Sequence, residues 1–332
     1  MPTPKRVTLQ VVIAAILVSA VAILAMPAAA APVTPATTMK VALIAPSAHN
    51  DLAFTQSMYA ALQKLKTKYH FKLSVSENQF VVADAANIMR QYAAEGYNLI
   101  VAHGSQYGGT IQQLAPKYPK VSFAWGTAGS TFNLPNVYAY QANSNEGGYV
   151  QGYMAALLSK TKVLGEIGPI AVGDAKLYVD GFKAGALAAD PKATVHVSYT
   201  GSFSDASLMS KQATNYLAAK VDILTGSSQS VVGAITVAKA QNIPWFGTQW
   251  TQASLAPKQV VSSQVYDWTG ALGQILTGIQ AGKLGGSTYT LTLKNGGEKI
   301  AFNPKFALPA TVKAAGMKVI AGIEKGSIKV PK

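Results

Sequence analysis

The sequence contains no cysteine. Disulfides, thiol chemistry and Cys-ligated metals are therefore excluded, as is a lipid-modified N-terminal cysteine, so the chain is not expected to be a lipoprotein. Arginine is almost as scarce: Arg6 and Arg90 are the only two, and lysine supplies the rest of the 28 basic residues, set against 14 Asp+Glu for a net charge of +14. Without Lys5 and Arg6 the balance is 26 against 14, or +12. Such a charge raises the question of nucleic acid, but arginine is the residue that makes bidentate base and phosphate contacts. With the lysines dispersed over helix faces, no nucleic-acid polymer is expected as a partner. A solvated basic surface, suited to an acidic exterior or an anionic membrane face, is the expected reading.

A long apolar run is also missing. The stretch "VVIAAILVSAVAILAM" (11–26) falls short of the roughly 20 residues that span a bilayer. It follows Lys5 and Arg6 and precedes "AAAA", an arrangement that predicts a signal peptide over residues 1–31, cleaved before a chain starting near Ala31 or Pro32. A retained anchor is the alternative. The mature protein is accordingly expected in the periplasm or outside the cell. Residues 32–38, "PVTPATT", read as a linker.

Catalytic and metal motifs are lacking too. His49, His70, His103 and His196 show no ligand spacing, and neither an H-E-x-x-H, a phosphate loop nor a G-x-G-x-x-G is found. The stretches "GSQYG" and "GSSQS" do not fit G-x-S-x-G. No metal, no cofactor and no enzymatic activity are expected, and a hydrolase using Ser105 or Ser228 is the competing possibility.

What the chain does contain is a regular alternation. Short runs rich in β-branched residues, "KVALIA" (40–45), "KLSVSE" (72–77), "NLIVAH" (98–103), "VSFAWG" (121–126) and "VYAYQA" (137–142), are separated by helical patterns. The same order resumes with "KVLGEIG" (162–168), "TVHVSYTG" (194–201), "VDILTG" (221–226) and "IPWFGT" (243–248). Continuous apolar strands between amphipathic helices predict parallel sheets covered on both faces, here two consecutive doubly wound α/β units. Near the end, "TYTLTLKNGGEKIAF" (288–302) alternates on either side of Asn295-Gly296-Gly297, which predicts a hairpin. A last helix is expected from about Pro309 to Lys325.

Ligands of open α/β sheets bind beyond the carboxyl ends of the strands. The candidate loops are "PSAHNDLAF" (46–54), "AHGSQYGG" (102–109), "AWGTAG" (124–129), "TGSSQS" (225–230) and "GTQWTQ" (247–252). They yield a set of expected ligand contacts: Asn50, Asp51, Phe54, His103, Trp125, Gly226, Ser227 and Trp250. Asn50 and Asp51 also read as helix caps. Flat aromatic side chains at strand ends suit planar rings or sugar faces; packing between lobes is the other role open to them.

Several stretches together resemble the basic membrane protein family of ABC-transporter substrate-binding proteins, whose best-understood members are purine nucleoside receptors. They include "NDLAFTQSMYAAL", "AAEGYNLIVAHG", "KYPKVSFAW", "NEGGYVQGYMAALLSKTKVLGEIG", "VDGFKAGALAADP" and "YTGSFSDASLMSKQA", in family order from about residue 40 to 266. "GGYVQGYMAALLSKT" and "GSFSD" are the most specific. The resemblance implies a two-lobed periplasmic-binding-protein fold of type I, with three crossings between lobes forming a hinge. These are expected near Ala142 to Asn145, near Lys258 to Ser262 and after Gly282. The implied division is 39–142 with about 261–285 for lobe 1, 143–260 for lobe 2, and 286–332 as a hairpin and helix completing both. The implied function is capture of a small ligand, a purine nucleobase or nucleoside, by a monomer that delivers it to a membrane permease. A ligand sensor for a membrane signalling partner is the alternative, as is a receptor for a sugar or another ring-stacked solute.

The resemblance also places a stacking phenylalanine at Phe54 and marks departures. Thr55 stands where asparagine is usual, and Trp125, Gly126 and Thr127 stand where an acid is expected. A second acid is replaced at Thr248 or Trp250, a lysine is missing near Val265, and a second stacking aromatic gives way to Leu224 or a neighbour. Ionised carboxylates bind ribose hydroxyls and purine N–H groups strongly, so their loss and the gain of indoles imply a flatter, less polar ligand.

Overall fold

The computed structural model describes residues 38–332. The signal peptide expected over 1–31, and all but the last residue of the linker, lie outside the described residues.

The first lobe is built by β1 (Lys40–Ile44), α1 (Phe54–Tyr69), β2 (Lys72–Ser76), α2 (Val82–Ala94), β3 (Leu99–His103), α3 (Gly108–Leu114), β4 (Ser122–Gly126) and β5 (Val137–Ala142). The chain then crosses to the second lobe: α4 (Asn145–Leu158), β6 (Val163–Gly168), α5 (Gly173–Ala189), β7 (Thr194–Tyr199), α6 (Ala206–Ala218), β8 (Ile223–Gly226), α7 (Val232–Ala240), β9 (Trp245–Gly247) and β10 (Val260–Tyr266). It returns for α8 (Thr269–Gln280) and β11 (Ser287–Leu291), and ends in the second lobe with β12 (Glu298–Phe302) and α9 (Ala310–Glu324).

Each lobe holds a six-stranded sheet, ordered β2-β1-β3-β4-β5-β11 in the first and β7-β6-β8-β9-β10-β12 in the second. All pairings are parallel except β10 with β12. The strand period of two explains why both faces are apolar. Val41, Leu43, Leu99 and Val101 pack under α1 and α8, whereas Ala42, Ile44, Ile100 and Ala102 pack under α2 and α3. The second sheet is sandwiched likewise, with Leu164, Phe246 and Val261 facing α4, α5 and α9, and Leu224, Trp245 and Val260 facing α6 and α7.

The stretches "GGYVQGYM" and "VDGFKAG" meet as α4 against α5. A Cβ on Gly152 would strike the carbonyl of Phe182, one on Gly185 that of Tyr149, and one on Gly148 would sit 2.5 Å from the Tyr178 carbonyl oxygen. Only glycine permits helices this close.

Three crossings link the lobes, and the second differs from expectation. The first, at Asn143 and Ser144, is where the sequence placed it. The second was expected near Lys258 to Ser262; β10 instead runs through Tyr266 within the second sheet, so the chain leaves at Asp267 and Trp268. The third lies after Gly282, as expected, between β11 and β12, but it stands where a hairpin was expected. Its turn is real: Asn295 accepts from the N–H groups of Thr292 and Gly297 at 3.0 Å, and Gly296 has φ of 71°. The flanking strands do not pair with each other, however. β11 runs parallel to β5 from Ser287↔Tyr138 to Leu291↔Ala142, and β12 runs antiparallel to β10. Each satisfies the open edge of a different sheet, which a local turn signal does not reveal.

The crossings are joined to one another. Asn143 N–H donates to the Leu291 carbonyl at 2.9 Å and Asp267 N–H to that of Gly297 at 2.7 Å. Gln264 Nε2 reaches both the Ser144 carbonyl at 3.2 Å and Glu298 Oε2 at 3.1 Å.

Candidate functional site

Parallel strands of both sheets end toward a common cleft, and the loops after them enclose a narrow pocket of about 30 Å³, room for little more than a water molecule. The first lobe contributes Pro46, Phe54, Phe80, Gly104, Ser105, Gln106 and Thr127; the second contributes Val172, Asp174, Phe203, Gln229 and Gln249.

Phe54 opens α1 and stacks on His103, with ring centroids 3.7 Å apart and planes 10° from parallel. His103 closes β3, is fully buried, and does not line the pocket. Its Nε2 lies 3.2 Å from the Phe54 carbonyl and its Nδ1 2.9 Å from the Tyr140 hydroxyl. A carbonyl only accepts, so Nε2 carries the proton and Nδ1 accepts from Tyr140. Burial pushes the imidazole pKa down to about 3, so the ring is neutral. It serves as the floor under Phe54.

Asp51 is occupied as a cap. It accepts from the N–H groups of Ala53, Thr55 and Gln56 at 2.9, 3.0 and 3.1 Å and from Ser47 Oγ at 2.7 Å. This satisfies donors that the first turn of α1 leaves free, although the residue sits two positions ahead of the formal cap. Burial raises its pKa against these hydrogen bonds. Asn50 is exposed on the preceding turn and lies outside the pocket lining.

Of the tryptophans expected at the site, Trp125 and Trp250, neither lines this pocket. Trp125 stacks on Phe132 at 4.6 Å and 18° and packs beside the core under α2 and α3. Trp250 lines a separate groove with Ser57, Lys64, Tyr266 and Lys299. Its neighbour Gln249 faces the pocket instead, from a left-handed backbone with φ of 67°, a conformation that tends to persist where the surroundings over-determine it. Gly226 and Ser227 are buried behind the lining: the Gly226 carbonyl accepts from Thr248 Oγ1 at 2.9 Å, and the Ser227 hydroxyl has no partner among the described residues. Ser228 donates to the Phe203 carbonyl at 2.7 Å and pairs with Ser230, so it anchors the Phe203 loop.

Of the eight expected contacts, then, Phe54 alone lines the pocket directly, with His103 and Asp51 supporting it. Pro46, Gly104, Ser105, Gln106, Thr127, Gln229 and Gln249 lie in the candidate loops but were not the residues chosen from them, whereas Phe80, Val172, Asp174 and Phe203 follow β2, β6 and β7, whose ends were not singled out. Phe203 lies within "GSFSD". It brings a further aromatic ring to the pocket lining, where a second one was sought near Leu224, and its centroid lies 6.2 Å from that of Phe80.

Asp174, in the first turn of α5, is the acid of the cleft. Tyr266 donates to its Oδ2 and Thr127 to its Oδ1, both at 3.2 Å. Burial raises its pKa, against the pull of those two hydroxyls. Gln249 is 4% exposed, and its Oε1 has no partner among the described residues. The site thus lines one pocket with phenyl rings from both lobes and with amide and carboxyl groups. No group of three or more His, Asp or Glu side chains gathers as a metal site among the described residues.

Two doubly wound lobes, joined by three crossings and closed over a pocket of stacking and hydrogen-bonding groups, define a solute-binding protein of the type I periplasmic-binding-protein fold. The chain belongs to the Bmp family of PnrA-like ABC transporter substrate-binding proteins, whose model matches residues 38–331. Among its relatives, a purine-binding protein of Brucella abortus (strain 2308) is 31% identical over 58% of this chain and 54% of its own, so the match spans about half of that protein. The transcriptional activator protein med of Bacillus subtilis (strain 168) is 25% identical over 77% of this chain and 80% of its own. A solute-binding protein of an ABC transporter system from Conexibacter woesei DSM 14684 superimposes with a TM-score of 0.73 at 24% identity, covering 89% of this chain and 99% of that structure. Proteins of this family capture small solutes for a permease.

Proposed function

We propose that this chain is the exported, monomeric receptor of an ABC importer, that it binds a purine nucleobase or nucleoside between its lobes, and that it presents the closed, loaded form to a permease. The observation that carries the ligand class is the pair Phe54 and Phe203, which bring a phenyl ring from each lobe to one pocket. Offset stacking on both faces favours a planar ring system, and Asp174, Gln229 and Gln249 supply edge contacts for its N–H and carbonyl groups. The purine-binding relative from Brucella abortus supports the same class. A sugar stacked on indole has less support, because neither Trp125 nor Trp250 lines the pocket.

A panel of nucleobases, nucleosides and sugars in a thermal-shift assay tests the ligand class, because a solute bound only by the native state raises the melting temperature. Shifts with purines are expected. A clear shift with another solute and none with any purine refutes the assignment.

The kinship with a transcriptional activator protein favours a second reading, a sensor whose ligand-bound state is read by a signalling partner. Uptake of labelled ligand separates the two: loss of uptake on deleting the gene supports import, and unchanged uptake with altered gene expression supports sensing.

A further inference from the structure

Asp174 is the single titratable side chain on the pocket wall, which carries no lysine, arginine or histidine among the described residues. Its carboxyl is held by neutral donors, the hydroxyls of Tyr266 on Oδ2 and Thr127 on Oδ1 together with the backbone N–H groups of Asp174 and Ala175, and the ion pairs among the described residues involve other acids. The residue is 8% exposed. Thr127 belongs to the first lobe, and Asp174 and Tyr266 to the second, so one carboxyl both faces the ligand space and bridges the lobes. A second observation concerns Gln249, which is buried on the same wall with its Oε1 unpartnered among the described residues. The wall therefore presents acceptors without a cation to balance them. An anion entering the closed cleft meets the carboxyl in a low local dielectric, with no cation on the wall to offset the repulsion. A ligand N–H group instead meets acceptors, since a carboxylate offers about four lone-pair sites and the Gln249 Oε1 is unpartnered among the described residues.

We infer that Asp174 sets the charge of the ligand this cleft accepts: it selects an uncharged planar heterocycle that donates an N–H group to it, and it rejects phosphorylated and carboxylated relatives of the same ring. Recognition is tied to closure, because Thr127 reaches the same carboxyl from the opposite lobe. The inference rests on the solute-binding reading but not on the purine assignment.

Calorimetric titration of the purified protein at neutral pH with three matched pairs tests it: guanosine with guanosine 5′-monophosphate, hypoxanthine with urate, and nicotinamide with nicotinate. The neutral member of at least one pair is expected to bind, with its anionic counterpart weaker by about tenfold or more. Asp174→Asn, which keeps shape and hydrogen bonding but removes the charge, is expected to narrow that ratio to within about threefold. Thr127→Val, which removes only the bridge between lobes, is expected to weaken both members alike and leave the ratio unchanged. A merely structural role for Asp174 moves affinity without moving the ratio. The inference is overturned by a wild-type protein that binds the anion as tightly as its neutral counterpart, by a ratio unaltered in Asp174→Asn, or by the failure of every neutral member to bind. Binding of nicotinamide over nicotinate with no purine bound refutes the purine assignment while upholding the role of Asp174. The wild-type ratio decides the matter by itself if the variant does not fold.

Discussion

The imidazole of His103 lies flat beneath the ring of Phe54, with centroids 3.7 Å apart, and accepts a hydrogen bond from Tyr140 on its far edge. One aromatic wall of the cleft is thus built on a buried, neutral base. Phe54→Ala and Phe203→Ala are each expected to weaken binding of the true ligand about tenfold or more, since stacking adds about 0.5–1.5 kcal/mol beyond the area buried. Calorimetry checks this, and unchanged affinity in both variants removes the stacking model.

The same histidine predicts a pH dependence of stability. Its pKa is depressed in the folded state, from 6.5 to about 3, so below 6.5 the unfolded chain binds the extra proton. The contribution of His103 is therefore fully present above about pH 6.5 and is lost as pH falls toward 3, by up to about 1.4 kcal/mol per pH unit for one proton. Chemical denaturation of the wild type and His103→Gln across that window is expected to show a stability gap that closes on acidification. A gap independent of pH contradicts a neutral, buried imidazole.

Glu166 behaves in the opposite sense. It is fully buried in β6, neither carboxylate oxygen has a partner among the described residues, and burial holds its pKa well above the ordinary 4.5. A carboxyl with a raised pKa stabilises the fold while protonated, and that contribution is lost as pH rises from 4.5 through the folded value. Glu166→Gln keeps the shape and cannot ionise. Its melting temperature is expected to match or exceed that of the wild type at neutral and alkaline pH, with the advantage shrinking toward pH 4.5. A variant less stable at every pH disproves the account.

Trp250 and Gln249 provide a contrast between neighbours. Gln249 faces the cleft and Trp250 the groove beside α1. Gln249→Ala is expected to weaken ligand binding by about 1–3 kcal/mol, the cost of losing a buried hydrogen-bonding partner, while Trp250→Ala leaves affinity within about twofold and lowers stability through lost packing. The reverse pattern in titration and melting curves returns the indole to the ligand site.

The contact of α4 with α5 is tight enough that one methyl group matters. Gly152→Ala drives a Cβ into the Phe182 carbonyl, and overpacking of this kind costs about 1–3 kcal/mol. A melting temperature equal to that of the wild type indicates that the helices separate freely.

Sequence alone determined the strands and helices and their doubly wound order, because these follow from local period and composition, and its motifs carried the family resemblance. It also located Phe54 and identified Asp51 as a cap, since a helix start at a strand end is a local event. It did not assign β11 and β12 to different sheets, because the Asn295-Gly296 turn is the same whether or not the strands beside it pair. Nor did it tell Gln249 from Trp250, whose separation depends on one left-handed residue. The meeting of Thr127, Asp174 and Tyr266, up to 139 positions apart (266 − 127), was decided by the closing of one lobe on the other. Side chains that distant acquire a common chemistry only when tertiary structure brings their strand ends to the same cleft.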